Sequence, residues 1–231
     1  MKAHSFIYLI IYSCFIMSVS LQAQEHFADR YNVSYITMDD GLPHNFIDDI
    51  YKDTRGFLWI STAGGGLSRY DGYEFIHFNP NTPHSKLKSN FIHNVYEDRF
   101  HRLWIVSEGG TDIIDLSTLQ SVIPNDPKGL LPRFINHPTY IVILDSQGCI
   151  WLQCDNALHR ITFDAEGGID TLSTLDLPEQ DEPDLILKDI DEDGKIWTGI
   201  NGTIYKITPT PQGQLEKSSI SEQLTFWPGI Y

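Results

Sequence analysis

Carboxylates dominate the reactive groups of this chain: 31 Asp and Glu stand against 16 Lys and Arg, with nine His and a formal charge of −15. Their spacing builds no recognisable reaction centre. The sequence has no Gly-x-x-x-x-Gly-Lys, no His-Glu-x-x-His and no Gly-x-Ser-x-Gly. The histidines are scattered, without the short intervals at which zinc ligands fall, so no metal is expected. Asp191-Glu192-Asp193 supplies oxygen ligands of the kind calcium takes, but lacks the rest of a calcium loop. Gly64-Gly65-Gly66 has the composition of a phosphate loop, yet it stands between two strand-like runs with no helix to follow and reads as a turn. No catalytic residue and no cofactor is expected. The acidic balance also argues against nucleic acid or an anionic membrane surface as partner, since both require clustered Lys and Arg.

The first 23 residues read as an export signal: Lys2, then an apolar run from Phe6 to Val19, then Ser20-Leu21-Gln22-Ala23 before a cut. The run is shorter than the roughly 20 residues a spanning helix needs. Cys14 falls inside this leader. Cys149 and Cys154 share one strand-like segment, point to opposite faces and are expected to be unbridged small core residues.

The elements that must position any site come from a repeat. Trp59, Trp104, Trp151 and Trp197 recur at intervals of 45, 47 and 46 residues. Each is preceded, six residues earlier, by Asp53, Asp98, Asp145 or Asp191, and in three copies by a Gly three residues earlier: Gly56, Gly148 and Gly194. An Asp carboxylate caps backbone N–H groups just ahead of it, and Gly supplies the positive φ of a tight reversal. The Asp residues are therefore expected to be turn caps. In the second copy His101 takes the Gly position, which predicts a looser hairpin.

Strand-like runs flank each hairpin, as in Phe46–Tyr51 and Phe91–Tyr96, and a further strand carries an apolar-x-basic-apolar text in Leu67-Ser68-Arg69-Tyr70, Leu158-His159-Arg160-Ile161 and Ile204-Tyr205-Lys206-Ile207. The second copy departs from it with Ile113-Ile114-Asp115-Leu116. Four short strands per ~45 residues is a propeller blade. The expected fold is all-β: residues 24–231 form a β-propeller segment of about four four-stranded blades, with few helices. The Trp residues are expected to wedge between neighbouring blades, since a lone blade cannot bury both faces. The chain closes on Phe226-Trp227-Pro228-Gly229-Ile230-Tyr231, and four blades rarely close a ring, so an incomplete, open part of a larger propeller with association-prone end faces is expected.

Three stretches carry a family resemblance: Gly41-Leu42-Pro43-His44-Asn45; Asp53-Thr54-Arg55-Gly56-Phe57-Leu58-Trp59-Ile60-Ser61-Thr62; and Gly65-Gly66-Leu67-Ser68-Arg69-Tyr70-Asp71-Gly72. Together they resemble the two-component regulator propeller repeat. The resemblance covers about residues 30–208 and weakens after the second copy. It implies the periplasmic sensor region of a bacterial hybrid two-component protein, whose parent carries a histidine kinase and is anchored in the inner membrane. It further implies an oligosaccharide ligand, with the remaining blades, downstream sensor domains and a second copy as partners. On this reading ligand contacts fall where lead-in segments and the second hairpin of each blade meet: His44, Asn45, Thr62, Asn90 and Ser107. An exported propeller enzyme (a polysaccharide lyase or quinone-dependent dehydrogenase) and a plain interaction scaffold are the alternatives.

Overall fold

A computed structural model describes residues 34–83, 86–154, 156–177, 187–191, 193–200, 203–210 and 213–219. The leader at 1–23 and the aromatic run at 226–231 lie outside the described residues. Residues 34–36 belong to a separate unit, Met1–Ile36; the blades all lie in Thr37–Tyr231.

Among the described residues, sixteen strands form four antiparallel sheets of four, each in simple chain order. The first blade is β1 (Ile47–Lys52), β2 (Leu58–Thr62), β3 (Gly66–Tyr70) and β4 (Phe75–Phe78). The second is β5 (Ile92–Glu97), β6 (Arg102–Ser107), β7 (Gly110–Asp115) and β8 (Gln120–Ser121). The third is β9 (Thr139–Leu144), β10 (Ile150–Cys154), β11 (Ala157–Phe163) and β12 (Ile169–Asp176). The fourth is β13 (Leu187–Ile190), β14 (Ile196–Ile200), β15 (Thr203–Pro209) and β16 (Leu215–Ser219). Helical structure among the described residues is limited to two single turns, Met38–Asp40 and Leu131–Arg133. The fold is the expected all-β propeller segment.

The blades hold together through the Trp strand. Trp59 is fully buried in a cluster with Ile92, Val95, Leu103, Ile105 and Ile114 of the second blade. Trp104 packs likewise with Phe134, Val142, Ile150, Ile161 and Phe163, and Trp151 with Ile196 and Ile207. Each indole is thus covered by the blade that follows it. Trp197, in the last described blade, is 37 % exposed. At the opposite end Ile47 and Ile50 are 40 % and 57 % exposed, whereas their second-blade equivalents Ile92 and Val95 are sealed. The four blades form an open, incomplete propeller with apolar surface at both ends.

The constant Asp-to-Trp interval has a cause beyond the turn. Asp53 caps the hairpin as expected, its Oδ1 accepting from the N–H groups of Arg55 and Phe57. Its Oδ2 accepts the indole N–H of Trp59 at 2.9 Å. The same bond joins Asp98 to Trp104 at 2.8 Å, Asp145 to Trp151 at 2.9 Å and Asp191 to Trp197 at 2.9 Å. One carboxylate therefore closes the turn with one oxygen and satisfies the buried indole with the other, which a buried N–H requires.

His101 corrects an expectation. It adopts φ 58°, in the left-handed region, but its hairpin is as tight as the others: Asp98 N–H to Arg102 O is 2.9 Å and His101 N–H to Asp98 O is 3.1 Å. The ring offsets the backbone strain by bonding through Nδ1 to Glu97 Oε1 at 2.8 Å. The second copy also makes good its missing basic residue. Arg160 reaches Asp145 from the strand opposite Trp151, a place held in the second blade by Ile113. Arg102, two residues before Trp104, bonds Asp98 Oδ2 at 2.7 Å instead. Cys149 and Cys154 are buried and unbridged, and burial pushes the Cys149 thiol up to about 11.

Polar latches reinforce the blade contacts. Glu97, 3 % exposed, accepts from both the N–H and the hydroxyl of Thr54 in the preceding blade, at 2.7 Å each. Burial acts to raise its pKa, but the Thr54 and His101 hydrogen bonds outweigh burial and hold the carboxyl below the ordinary glutamate value. A depressed folded pKa stabilises the protein above the unfolded value of about 4.3 and loses that contribution as pH falls through the folded pKa. Glu97→Gln is therefore expected to destabilise the chain at pH 7 and to differ less from wild type below about pH 4. Urea midpoints at the two pH values check this; an unchanged gap would contradict it.

Candidate functional site

The lead-in to each inner strand and the second hairpin of each blade meet at one end of the sheets. Ala63 N–H bonds Phe46 O at 3.1 Å within the first blade, and Gly66 N–H reaches Asn90 O at 3.0 Å in the lead-in of the second. The equivalent bond of the next pair of blades runs from Thr111 N–H to Ile135 O at 3.0 Å. All five residues expected to meet a ligand lie at this end. The glycine run is a turn here, as expected. A Cβ on Gly65 would stand 2.9 Å from Pro43 Cβ, so the turn packs its bare backbone against the Pro43 side chain of the first lead-in.

The structure separates the five residues into two groups. Thr62 and Ser107 are fully buried, and their hydroxyls donate to Gly66 O at 3.3 Å and Gly110 O at 2.9 Å. They rivet the second hairpin and offer no free group to a ligand. His44 and Asn45 are exposed. His44 Nδ1 accepts the Phe46 N–H at 3.0 Å, which leaves the other ring edge outward. Asn90 is half-buried, and its Oδ1 is closed off from solvent without a hydrogen-bond partner among the described residues.

Sequence reasoning missed the aromatic part of this face. Phe46 and Phe91 fall outside the strands that their composition suggested, and they are 63 % and 49 % exposed. Phe91 stays exposed although its blade has a preceding neighbour. The signal was present: Asn-Phe recurs at 45 residues, as Asn45-Phe46 and Asn90-Phe91. Each inner strand of the first three blades carries a bulge, and the fourth shifts register between Leu187 and Asp189. Ile47 pairs with Thr62 and Asp49 with Ser61, so Asp48 is the extra residue. In the same way the shift lies between Ile92 and Asn94, and between Thr139 and Ile141. Asp49 accepts the Val95 N–H at 3.3 Å, and Asn94 bonds both the N–H and the carbonyl of Val142, at 3.0 and 2.9 Å. Burial pushes the Asp49 carboxyl above the ordinary aspartate value despite that bond. A cavity of about 260 Å³ lies among these strands, lined by Asp48, Asp49, His93, Asn94, Tyr140 and Ile141. A larger groove of about 630 Å³ lies between the third and fourth blades, but Arg160 on its wall is already bound to Asp145 and Gln147. Among the described residues no three His, Cys, Asp or Glu cluster as metal ligands, and no helix is long and apolar enough to cross a membrane.

Comparison with solved structures places the fold. The extracellular domain of BT4673 from B. thetaiotaomicron is 24 % identical with a TM-score of 0.55, over 82 % of this chain and 27 % of that one. The extracellular domain of BT3049 from B. thetaiotaomicron, described as a hybrid two component system, is 19 % identical with a TM-score of 0.52, over 80 % of this chain and 32 % of that one. A streptogramin B lyase shares the fold at 17 % identity and a TM-score of 0.51, over 77 % of this chain and 55 % of the lyase. The chain thus spans only about a quarter to a third of the two extracellular domains. No curated protein sequence matches it. Its first two blades, whose Asp-capped hairpins and buried indoles were built up above, match the model of the two component regulator propeller at residues 41–64 and 86–109.

Proposed function

We propose that this chain is the ligand-sensing propeller region of a two-component signalling protein, exported to the periplasm by residues 1–23, and that it recognises oligosaccharides without catalysing their conversion. The carrying observation is that the two matched repeats are those whose lead-ins present His44, Asn45 and Asn90 at one face. The exposed Asn45 amide and His44 imidazole, with the exposed rings of Phe46 and Phe91, supply what a sugar needs: hydrogen-bonding partners for its hydroxyls and flat apolar surface for its C–H face. The net charge of −15 favours neutral ligands over acidic ones. Binding would signal by favouring one packing of these blades against the rest of the parent, with a kinase downstream. Calorimetric titration of the chain with neutral oligosaccharides tests the reading. Alanine at His44, Asn45 and Asn90 together is expected to weaken binding by about tenfold or more. Unchanged affinity would remove these residues from the site.

A further inference from the structure

The bulges of the first three inner strands are equivalent, whereas the fourth strand shifts register nearer its Trp, between Leu187 and Asp189. Asp48, His93 and Tyr140 are each the unpaired extra residue, and each lies eleven positions before its blade's Trp. A bulge leaves its extra residue out of the ladder and re-aims its side chain, which is why bulges gather near binding sites. Here all three re-aimed residues line the same 260 Å³ cavity, although they come from three successive blades. The scaffold around them is kept from copy to copy: the Trp, the capping Asp and the bulge itself. The bulged side chain is not kept. It is a carboxylate, then an imidazole, then a phenol, and all three can hydrogen-bond.

These groups are also uncommitted. The Asp48 carboxylate and the Tyr140 hydroxyl make no hydrogen bond among the described residues. His93 makes no hydrogen bond among the described residues; its Nε2 is shielded from solvent, which leaves Nδ1 as the ring atom that can meet a ligand. An unmade bond at a buried polar atom costs about 1–3 kcal/mol. Their neighbours differ: Asn94 and Asp49 are already spent on the adjacent inner strand. The His93 and Tyr140 rings lie 5.6 Å apart at 35°, forming one aromatic wall.

We propose that this bulge-lined cavity is a second subsite, taking one uncharged sugar ring at the end of an oligosaccharide, with Asp48, His93 and Tyr140 bonding its hydroxyls. The proposal rests on the sensing reading above and deepens it. At about 260 Å³ the cavity falls just below the usual range of roughly 300–1,000 Å³ for small-molecule sites, a size that suits one ring. Asp48 accepts, the phenol both donates and accepts, and the imidazole does either, which matches vicinal hydroxyls. Two carboxylates in its wall exclude sugars bearing carboxylate, sulfate or phosphate, because desolvating like charges together is costly.

The test is calorimetric titration of the whole chain with xylotetraose, maltotetraose, mannotetraose, cellotetraose and trigalacturonate. The wild type should bind at least one neutral tetraose and not trigalacturonate. Asp48→Asn, His93→Gln and Tyr140→Phe, each close in shape to the original, should each weaken that binding about tenfold. Asp48 is exposed and unpartnered, so its replacement leaves the fold intact and suffices if another variant disturbs it. Unaltered binding by all three variants, with loss on alanine replacement of His44, Asn45 and Asn90, would overturn the cavity and leave the sensing face standing. Tighter binding of trigalacturonate than of any neutral sugar would overturn the assigned ligand class. No binding of any sugar by the wild type would overturn both readings.

Discussion

Trp104→Ala is expected to destabilise the chain by about 3–5 kcal/mol, the range for removing a large aromatic from a close-packed core. Trp197→Ala is expected to cost less, about 2–3 kcal/mol, because part of its surface is already in water. The two residues occupy the same place in the repeat and bond the same kind of Asp. What differs is the next blade. Trp104 is sealed by Phe134, in the lead-in to the third blade, at 6.4 Å and by Phe163 of that blade at 5.9 Å between ring centroids. Trp197 is 37 % exposed. Urea denaturation of the two variants measures the difference. Equal losses would mean that the indole stabilises its own sheet and not the seam between blades.

Asp98→Ala should be the most damaging change to a polar residue, at about 3–5 kcal/mol, since it removes one partner of a buried ion pair. Asp98 is 2 % exposed and accepts from the N–H groups of Phe100 and Arg102, the Arg102 guanidinium and the Trp104 indole. The change strands all of these donors, and Arg102 keeps only its bond to Gly167 O at 2.6 Å. Asp53→Ala removes the cap and the indole bond with no guanidinium on the carboxylate, and is expected to cost about 2 kcal/mol. The double variant Asp98→Ala with Arg102→Met should recover part of the loss, because it removes the stranded charge and keeps the stem packed on Phe100 and Phe163. Stability of the four variants by urea titration decides it. A double variant as unstable as the sum of its singles would show that the pair is not coupled.

Much of the architecture was legible because its determinants are local. A capping Asp, a residue able to take positive φ and a strand with Trp in its second or third place specify a hairpin within seven residues, and that hairpin recurs four times. The departures were harder to read. His101 announces a positive φ, but nothing adjacent shows that Glu97 will hold its ring. The absence of a basic residue opposite Trp104 is visible, whereas its replacement by Arg102 depends on the hairpin closing so that Asp98 and Arg102 face each other. Thr62 and Ser107 look like turn hydroxyls available to a ligand. Only pairing with Gly66 and Gly110 turns them inward.

By itself the sequence determined the repeat, the hairpins and the blade count, since turn geometry and strand composition act over a few residues. The tertiary structure decided which indoles are sealed, which polar groups stay free, and that Asp48, His93 and Tyr140 line one cavity. Those outcomes depend on how sheets some 45 residues apart in the chain stack on one another, and that relation is set by packing between blades and not by the local text of any one of them.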